Sequence, residues 1–203
     1  MYAIEMKDYG DVDVFAEVTD AKTPDIKPSQ VLVKQRATAI DPYDVKFRAG
    51  VMGTSAPTPL INGSSVAGDI IAVGSEVSDF HVGDRVAASP HLKSYAEFVA
   101  VSSKQLAKIP DGVSYETAAA VVLGGQTGYQ MMTSDLDVRP GESVLIHGGA
   151  GSVGFTAIQV AQAIGADKIY TTASGESAVF LKAFNPHLHV IDYKKESLAV
   201  SYT

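Results

Sequence analysis

One stretch, residues 144–173, restricts the fold more than any other part of the chain. It opens with the apolar run Val-Leu-Ile at 144–146 and turns into a glycine-rich segment at 148–154, which reads GGAGSVG. Beyond this turn, apolar side chains recur with the spacing of one helix face, and Gly165 ends the periodic pattern. The segment 168–173 is rich in β-forming residues. The order strand, glycine turn, helix, strand predicts the right-handed crossover unit of a parallel sheet.

Gly149, Gly151 and Gly154 fit the dinucleotide-binding pattern G-x-G-x-x-G. In this pattern the first glycine permits the tight turn, the second lets the backbone approach a pyrophosphate, and the third lets helix and strand pack closely. Ser152 and Val153 then open a helix whose N-terminus faces the phosphates. A glycine triplet alone is also compatible with a purely structural turn. The flanking strands and helix favour the dinucleotide interpretation, because they are the context that it requires.

The composition excludes several classes of protein. The 203 residues are 46% hydrophobic and 19% charged, which suits one or two globular domains with a sizeable core. A net charge of -7 argues against binding to nucleic acid or to an anionic membrane. The chain has no cysteine, no apolar N-terminal leader and no window of about 18 apolar residues. We therefore expect a cytoplasmic protein without disulfides, thiolate metal sites or membrane spans.

The first half of the chain is predicted to be rich in β-strands. Strand patterns lie at 31–39, 69–73, 85–88 and 95–101, separated by turn signals as in a small barrel. A short helix interrupts them, with Asp41 as its N-cap, Pro42 in its first turn and Gly50 past its end. Asp44 and Arg48 lie four residues apart on one face of this helix.

A second helical region follows the strands. Residues 109–112 (IPDG) end the β-rich part, and Ser114 is the predicted N-cap of an alanine-rich helix. We expect the pair Gly124-Gly125 to break this helix before 126–134 resumes a helical pattern.

Five motifs, taken together, resemble a known family. They occur in the order and approximate spacing of the medium-chain dehydrogenase/reductase superfamily, at residues 41–50, 63–68, 82–86, 125–127 and 148–154. More narrowly, the chain resembles the zinc-free NADPH:quinone oxidoreductases, the zeta-crystallin-like enzymes. The resemblance implies an α/β plus β fold, with a GroES-like β-barrel domain at 1–123 and a Rossmann domain, a doubly wound parallel sheet, at 124–203.

The Rossmann domain is expected to be incomplete. Strands are predicted near Val144, Lys168 and His189, followed only by residues 194–203, whereas family members continue for three more strands and a return segment to the barrel. A natural short form, a truncated reading frame and a fragment are all compatible with this pattern. The strand at 144–146 then becomes an edge, from which we expect a homodimer that extends the sheet, with aggregation as the competing outcome.

The family's zinc ligands are replaced in this chain. Zinc-dependent relatives carry a cysteine at the position of Asp41, and Gly-His-Glu where this chain has Gly63-Ser64-Ser65. The resemblance therefore implies a reaction without zinc, in which NADPH delivers a hydride to a quinone or to the β-carbon of an enone. The expected substrate is a small molecule. The alternative is a truncated, non-catalytic module that binds a nucleotide or a partner.

The resemblance also assigns residues to the reaction. It places Asp41, Pro42 and Tyr43 beside the nicotinamide and the substrate, with Asp41 and Tyr43 as candidate catalytic residues, and Thr127 near the carboxamide. Asp41 stands where the family usually has asparagine, so its role as an N-cap is the competing interpretation. For Tyr43 the competing interpretation is a tyrosine that only packs on the barrel.

Cofactor choice is expected to be made at the end of the second strand, about 20 residues beyond the glycine motif. There the chain has Ser174 and Gly175 and no acidic residue to bind a ribose diol, which favours NADPH over NADH. Tyr193 matches a family tyrosine near the adenine. Glu176, two residues beyond Ser174, counts against NADPH because it is an acidic residue near the position of a ribose-diol ligand.

Overall fold

The structure is a computed structural model. It describes residues 1–196; residues 197–203, most of the segment that follows the last predicted strand, lie outside the described residues. The chain divides into two compact units, of which the first ends at Leu123 and the second begins at Gly124.

The first unit is built from antiparallel strands. A five-stranded sheet has the order β7-β3-β5-β6-β8, and a three-stranded sheet has the order β2-β1-β4. The strands are β1 (Ala3–Met6), β2 (Phe15–Val18), β3 (Gln30–Ala37), β4 (Leu60–Ile61), β5 (Val66–Val73), β6 (Arg85–Ala88), β7 (Phe98–Ser102) and β8 (Leu106–Lys108). Each predicted strand is present. The last one begins later than predicted, because Ala96 forms only an isolated bridge to Ala3.

Buried and more exposed side chains alternate along the strands, and the buried ones form the core of this unit. In β3 the side chains of Val31 and Val33 are fully buried, while the residues between and after them are partly or fully exposed. They pack with apolar residues of the neighbouring strands, namely Val66, Ile70, Val86, Ala88, Val99 and Val101. The only α-helix in the described part of this unit before residue 115 is α1 (Pro42–Arg48), which begins after Asp41 and is followed by Gly50 at φ 71°.

The second unit contains a parallel sheet. Its elements are β9 (Ser143–Ile146), α3 (Ser152–Ile164), β10 (Lys168–Ala173), α4 (Glu176–Phe184) and β11 (His189–Asp192). The strand order is β11-β10-β9, with both pairs parallel. The predicted strand, turn, helix and strand are confirmed, and Gly165 ends α3 at φ 92°.

One helix prediction is wrong. The helix α2 (Tyr115–Gln130) starts after Ser114, whose hydroxyl accepts from the Thr117 N–H at 3.1 Å, and it continues without a break through Gly124 and Gly125. The glycines permit close packing instead of ending the helix. A Cβ on Gly124 would lie 2.6 Å from Ser152 Oγ, and a Cβ on Gly128 would lie 2.5 Å from the Val153 carbonyl oxygen, both at the start of α3.

Within residues 1–196, β9 pairs with β10 on one side only. No helix in this described range has both the length and the apolar character needed to cross a membrane.

Candidate functional site

The glycine turn between β9 and α3 is tied to the end of β10. The Gly148 N–H donates to Thr172 Oγ1 at 3.0 Å, and the Gly149 N–H donates to the Thr172 carbonyl at 3.2 Å. The left-handed residue of the turn is Gly148, with φ 67°, and Gly149 does not have a positive φ. The tight turn assigned to Gly149 from the sequence is therefore made one residue earlier.

The three glycines of the pattern are required for different reasons. A Cβ on Gly149 would collide with Thr171 Oγ1, and a Cβ on Gly154 would collide with the Gly148 carbonyl. Both glycines are buried, so internal packing alone explains them. Gly151 differs, because it is exposed and a Cβ there would meet only the Gly148 carbonyl oxygen, at 3.3 Å. The fold therefore demands glycine less strongly here than at Gly149 and Gly154.

A cavity of about 260 Å³ lies in front of Gly151. It is lined by Gly148, Ala150, Gly151, Thr172, Ala173, Ser174, Ser177 and Tyr193. None of these residues is charged. The cavity thus brings together three predicted cofactor residues, Gly151, Ser174 and Tyr193, from the glycine turn, from the end of β10 and from beyond β11.

Hydroxyl groups and a helix end give this cavity its polar character. Ser174 Oγ donates to Tyr193 Oη at 3.0 Å. The sequence analysis did not select Ser177, although its place in the first turn of α4, three residues after Ser174, was a usable signal. At the start of α3, which follows Gly151, no side chain caps the first N–H groups of the helix. Such a helix start attracts anions.

The other predicted cofactor residues do not line the cavity. Ser152 and Val153 form the first turn of α3, and Gly175 precedes α4 at φ 56°. Thr127 is exposed on α2. Glu176, the residue that counted against NADPH, is exposed in the first turn of α4 and is also outside the lining.

In the first unit, two buried carboxylates meet at the start of α1. Asp41 Oδ2 accepts a hydrogen bond from Ser65 Oγ at 2.5 Å. Asp44 Oδ1 accepts from Ser64 Oγ at 2.5 Å, and its Oδ2 accepts from Tyr95 Oη at 2.9 Å and from the Asp41 N–H at 3.0 Å. Within the described residues, neither carboxylate forms an ion pair.

Burial raises the pKa of Asp41, and the nearby charge of Asp44 raises it further. The hydrogen bond from Ser65 opposes this shift in part. Asp41, Ser64 and Ser65 stand where zinc-dependent relatives have their zinc ligands. In this chain these side chains form a hydrogen-bond network of hydroxyls and carboxylates instead. Residues 1–196 contain no group of three or more His, Cys, Asp or Glu side chains arranged to hold a metal ion.

Tyr43 projects from the first turn of α1. It is half-buried, its ring stacks on Phe47 with 6.3 Å between ring centroids, and its hydroxyl contacts His91. Burial raises the pKa of the Tyr43 phenol, with a further contribution from the charge of Asp44. Arg48 forms no ion pair with Asp44, although the two lie four residues apart on α1. It donates instead to the Gly10 carbonyl at 3.2 Å and lies 3.5 Å from Asp11.

The architecture and the glycine-turn cavity define a class of protein, a GroES-like domain followed by a Rossmann-like parallel sheet. Residues 27–134 match the family model of the alcohol dehydrogenase GroES-like domain. The chain is 38% identical over 97% of its length to the 2-methylene-furan-3-one reductase of Solanum lycopersicum. It is 37% identical, again over 97% of its length, to a quinone oxidoreductase of Pseudomonas aeruginosa.

A solved structure agrees with these relatives. The quinone oxidoreductase of Escherichia coli, complexed with NADPH, superimposes with a TM-score of 0.83 over 98% of the chain at 30% identity. The chain belongs to the medium-chain dehydrogenase/reductase superfamily, in the quinone oxidoreductase family. It spans 53% and 60% of the lengths of the two relatives above, and 60% of the E. coli protein.

Proposed function

We propose that the second unit binds NADPH at the glycine turn. The observation that carries this proposal is the open space at Gly151, an exposed glycine that lines the cavity of about 260 Å³ and has fewer close neighbours than Gly149 and Gly154. The uncapped N–H groups of the first turn of α3 supply hydrogen-bond donors for a pyrophosphate at this position.

The adenosine end of the cofactor is assigned to the far side of the cavity. Ser174, Ser177 and Tyr193 present hydroxyls there, and no carboxylate lines the cavity. A 2'-phosphate gains hydrogen bonds from hydroxyls and is repelled by carboxylates, so this lining supports NADPH over NADH. The complex of the E. coli relative with NADPH supports the same choice.

The proposed activity is the reduction of a quinone or of an enone. Bound NADPH supplies a hydride, and the oxygen of the acceptor gains negative charge as that hydride adds. The chain contributes donors and position. Tyr43, whose phenol remains protonated, is the proposed donor to this oxygen. Asp41 and Pro42 hold the first turn of α1 in place, and Thr127 is assigned to the carboxamide.

Asp41 is the second candidate catalytic residue. Its side chain accepts a hydrogen bond from Ser65 Oγ and caps the start of α1. No zinc ion is part of the proposed reaction, because Ser64 and Ser65 use their hydroxyl protons on the two carboxylates. Stoichiometric zinc in chelator-washed protein would contradict this part of the proposal.

The proposal also covers the roles of the two units and the oligomeric state. Residues 1–123 supply the substrate side and residues 124–203 bind the nucleotide. The protein acts in the cytoplasm on a small-molecule substrate, as a homodimer that joins two β9 edges.

Binding and turnover are to be measured separately on the purified chain, with its intact mass confirmed. NADPH is titrated first, and steady-state oxidation of NADPH by a simple ortho-quinone and by a simple enone follows. The proposed function requires saturable binding and turnover that depends on the acceptor. Saturable binding without turnover identifies a nucleotide-binding module instead, and absence of binding refutes both.

A further inference from the structure

One threonine at the end of β10 holds the glycine turn through both its side chain and its backbone. Thr172 Oγ1 accepts a hydrogen bond from the Gly148 N–H at 3.0 Å, and the Thr172 carbonyl accepts one from the Gly149 N–H at 3.2 Å. Thr172 is 5% exposed and lines the cavity in front of Gly151. It lies 24 residues beyond Gly148, and the sequence analysis assigned it no role.

The side-chain hydrogen bond reaches the left-handed residue of the turn. Gly148 has φ 67°. Glycine adopts this conformation without strain, but it adopts many others almost as readily. A hydrogen-bond partner on the neighbouring strand selects one of them. The conformation of Gly148 therefore depends on Thr172.

Gly148 transmits this constraint to the start of α3. Its carbonyl accepts a hydrogen bond from the Gly151 N–H at 2.9 Å. The Gly151 carbonyl in turn accepts one from the Phe155 N–H at 2.8 Å. A series of hydrogen bonds thus connects Thr172 with the helix start whose uncapped N–H groups are assigned to the pyrophosphate.

The direction of the bond between Thr172 and Gly148 is unambiguous. A backbone N–H can only donate, so the hydroxyl oxygen is the acceptor and keeps its own proton for a second partner. His147 Nδ1 lies 3.4 Å from this oxygen, which is long for a hydrogen bond. The bond to Gly148 is independent of the tautomer of that ring.

We propose that Thr172 is a positioning residue for the cofactor, whose hydroxyl oxygen holds Gly148 in its left-handed conformation and so keeps the N–H groups at the start of α3 in place for the pyrophosphate. This inference rests on the proposed binding of NADPH at the glycine turn. A site whose donors are already ordered loses less conformational entropy when its ligand binds. Loss of the hydroxyl therefore weakens cofactor binding in protein that is still folded.

The first test compares two substitutions of Thr172 by calorimetric titration of NADPH, at a temperature where every variant is folded. Thr172→Val removes the acceptor and keeps the shape of the side chain, and it should bind NADPH about tenfold more weakly. Thr172→Ser keeps the hydroxyl and should lose less than about threefold. Thr172→Ala removes the same acceptor and replaces the valine variant if that protein does not fold.

Ile169→Val is the matched control for a general loss of stability. It removes one methyl group from the core on the same strand and leaves the turn unchanged. This variant should have a lower melting temperature and the NADPH affinity of the wild type.

A fragment of the cofactor distinguishes positioning from a general loosening of the fold. Adenosine 2'-monophosphate carries the 2'-phosphate and no pyrophosphate. Its affinity, measured by competition with NADPH, should therefore be the same in the wild type and in Thr172→Val. A further readout needs no cofactor: the Gly148 amide proton, followed by NMR, should exchange with solvent faster in Thr172→Val than in Thr172→Ser or Ile169→Val.

The possible failures have different meanings. Equal NADPH affinities in the wild type and in folded Thr172→Val refute the role of Thr172 and leave the proposed function intact. A loss shared equally by Thr172→Ser, or by adenosine 2'-monophosphate, also refutes it, because the hydroxyl would then not act on the pyrophosphate end. Unchanged exchange at Gly148 refutes the tie itself. Absence of NADPH binding in the wild type refutes the proposed function and, with it, this inference.

Discussion

Two buried carboxylates, Asp41 and Asp44, lie at the start of α1. Asp41 is buried beside Asp44, and no cation in residues 1–196 is paired with either carboxylate. Because the pKa of Asp41 is raised in the folded state, the fold holds its proton more tightly than the unfolded chain does. Stability contributed by this group is therefore lost as the pH rises from the unfolded value of about 3.9 through the folded pKa.

Asp41→Asn is expected to stabilise the protein at neutral pH by on the order of 1 kcal/mol. Asparagine keeps an acceptor for Ser65 and removes the buried charge. The gain should disappear below the unfolded pKa, where aspartate is neutral in both states. Urea unfolding at neutral and at acidic pH measures the difference, and a gain that grows toward acidic pH would have the wrong sign.

Substitution of Asp44, unlike that of Asp41, is expected to destabilise the protein. Asp44→Ala leaves Ser64, Tyr95 and the Asp41 N–H without their acceptor, and should cost about 3–5 kcal/mol of unfolding free energy. Tyr95→Phe removes only one of these donors and serves as the milder control. Equal losses in the two variants would show that Asp44 is not the centre of this network.

Cofactor preference is also decided by single residues. Ser174→Asp is expected to weaken NADPH at least about tenfold, since a carboxylate would face the 2'-phosphate. The affinity for NADH should stay the same or improve. Competitive titration with the two cofactors measures this ratio. An unmodified protein that already binds NADH as tightly as NADPH would instead indicate Glu176 as a ribose ligand.

At the scale of elements, local patterns were predicted and distant partners were not. The crossover unit around α3 was predicted because its periodicity, its glycine turn and its stop at Gly165 are all local. Gly124 was misinterpreted as a helix breaker because its reason, the start of α3, lies elsewhere in the chain. Two partners of the Asp44 carboxylate, Ser64 and Tyr95, lie 20 and 51 residues away and left no pattern to recognise.

Substitutions of the glycines in the turn are expected to differ in their effect on the free energy of unfolding. Gly154→Ala forces a Cβ against the Gly148 carbonyl and should cost about 2–4 kcal/mol of unfolding free energy. Gly151→Ala should change stability by less than about 1 kcal/mol. Thermal unfolding of the two variants makes the comparison. Equal destabilisation would mean that Gly151 is also a packing glycine.

At the scale of the whole molecule, β9 is one of the edge strands of the described sheets, since within residues 1–196 it pairs only with β10. Leu145 on this strand is 39% exposed. Exposed edges of this kind favour pairing with another strand. We expect the 203-residue chain to form a dimer in light scattering at tens of micromolar, and Leu145→Lys to shift it toward monomer. Val179→Lys, an exposed apolar position on α4, is the matched control. A monodisperse monomer contradicts the proposed assembly.

The central claim is that the glycine turn of the second unit holds NADPH, and calorimetric titration of NADPH into the wild type and Gly151→Val tests it most directly. The wild type should bind one NADPH per chain. The valine variant should keep its far-UV circular dichroism spectrum and lose binding by at least about a hundredfold, because its side chain occupies the place of the pyrophosphate. Unchanged affinity in a folded Gly151→Val protein would contradict the claim.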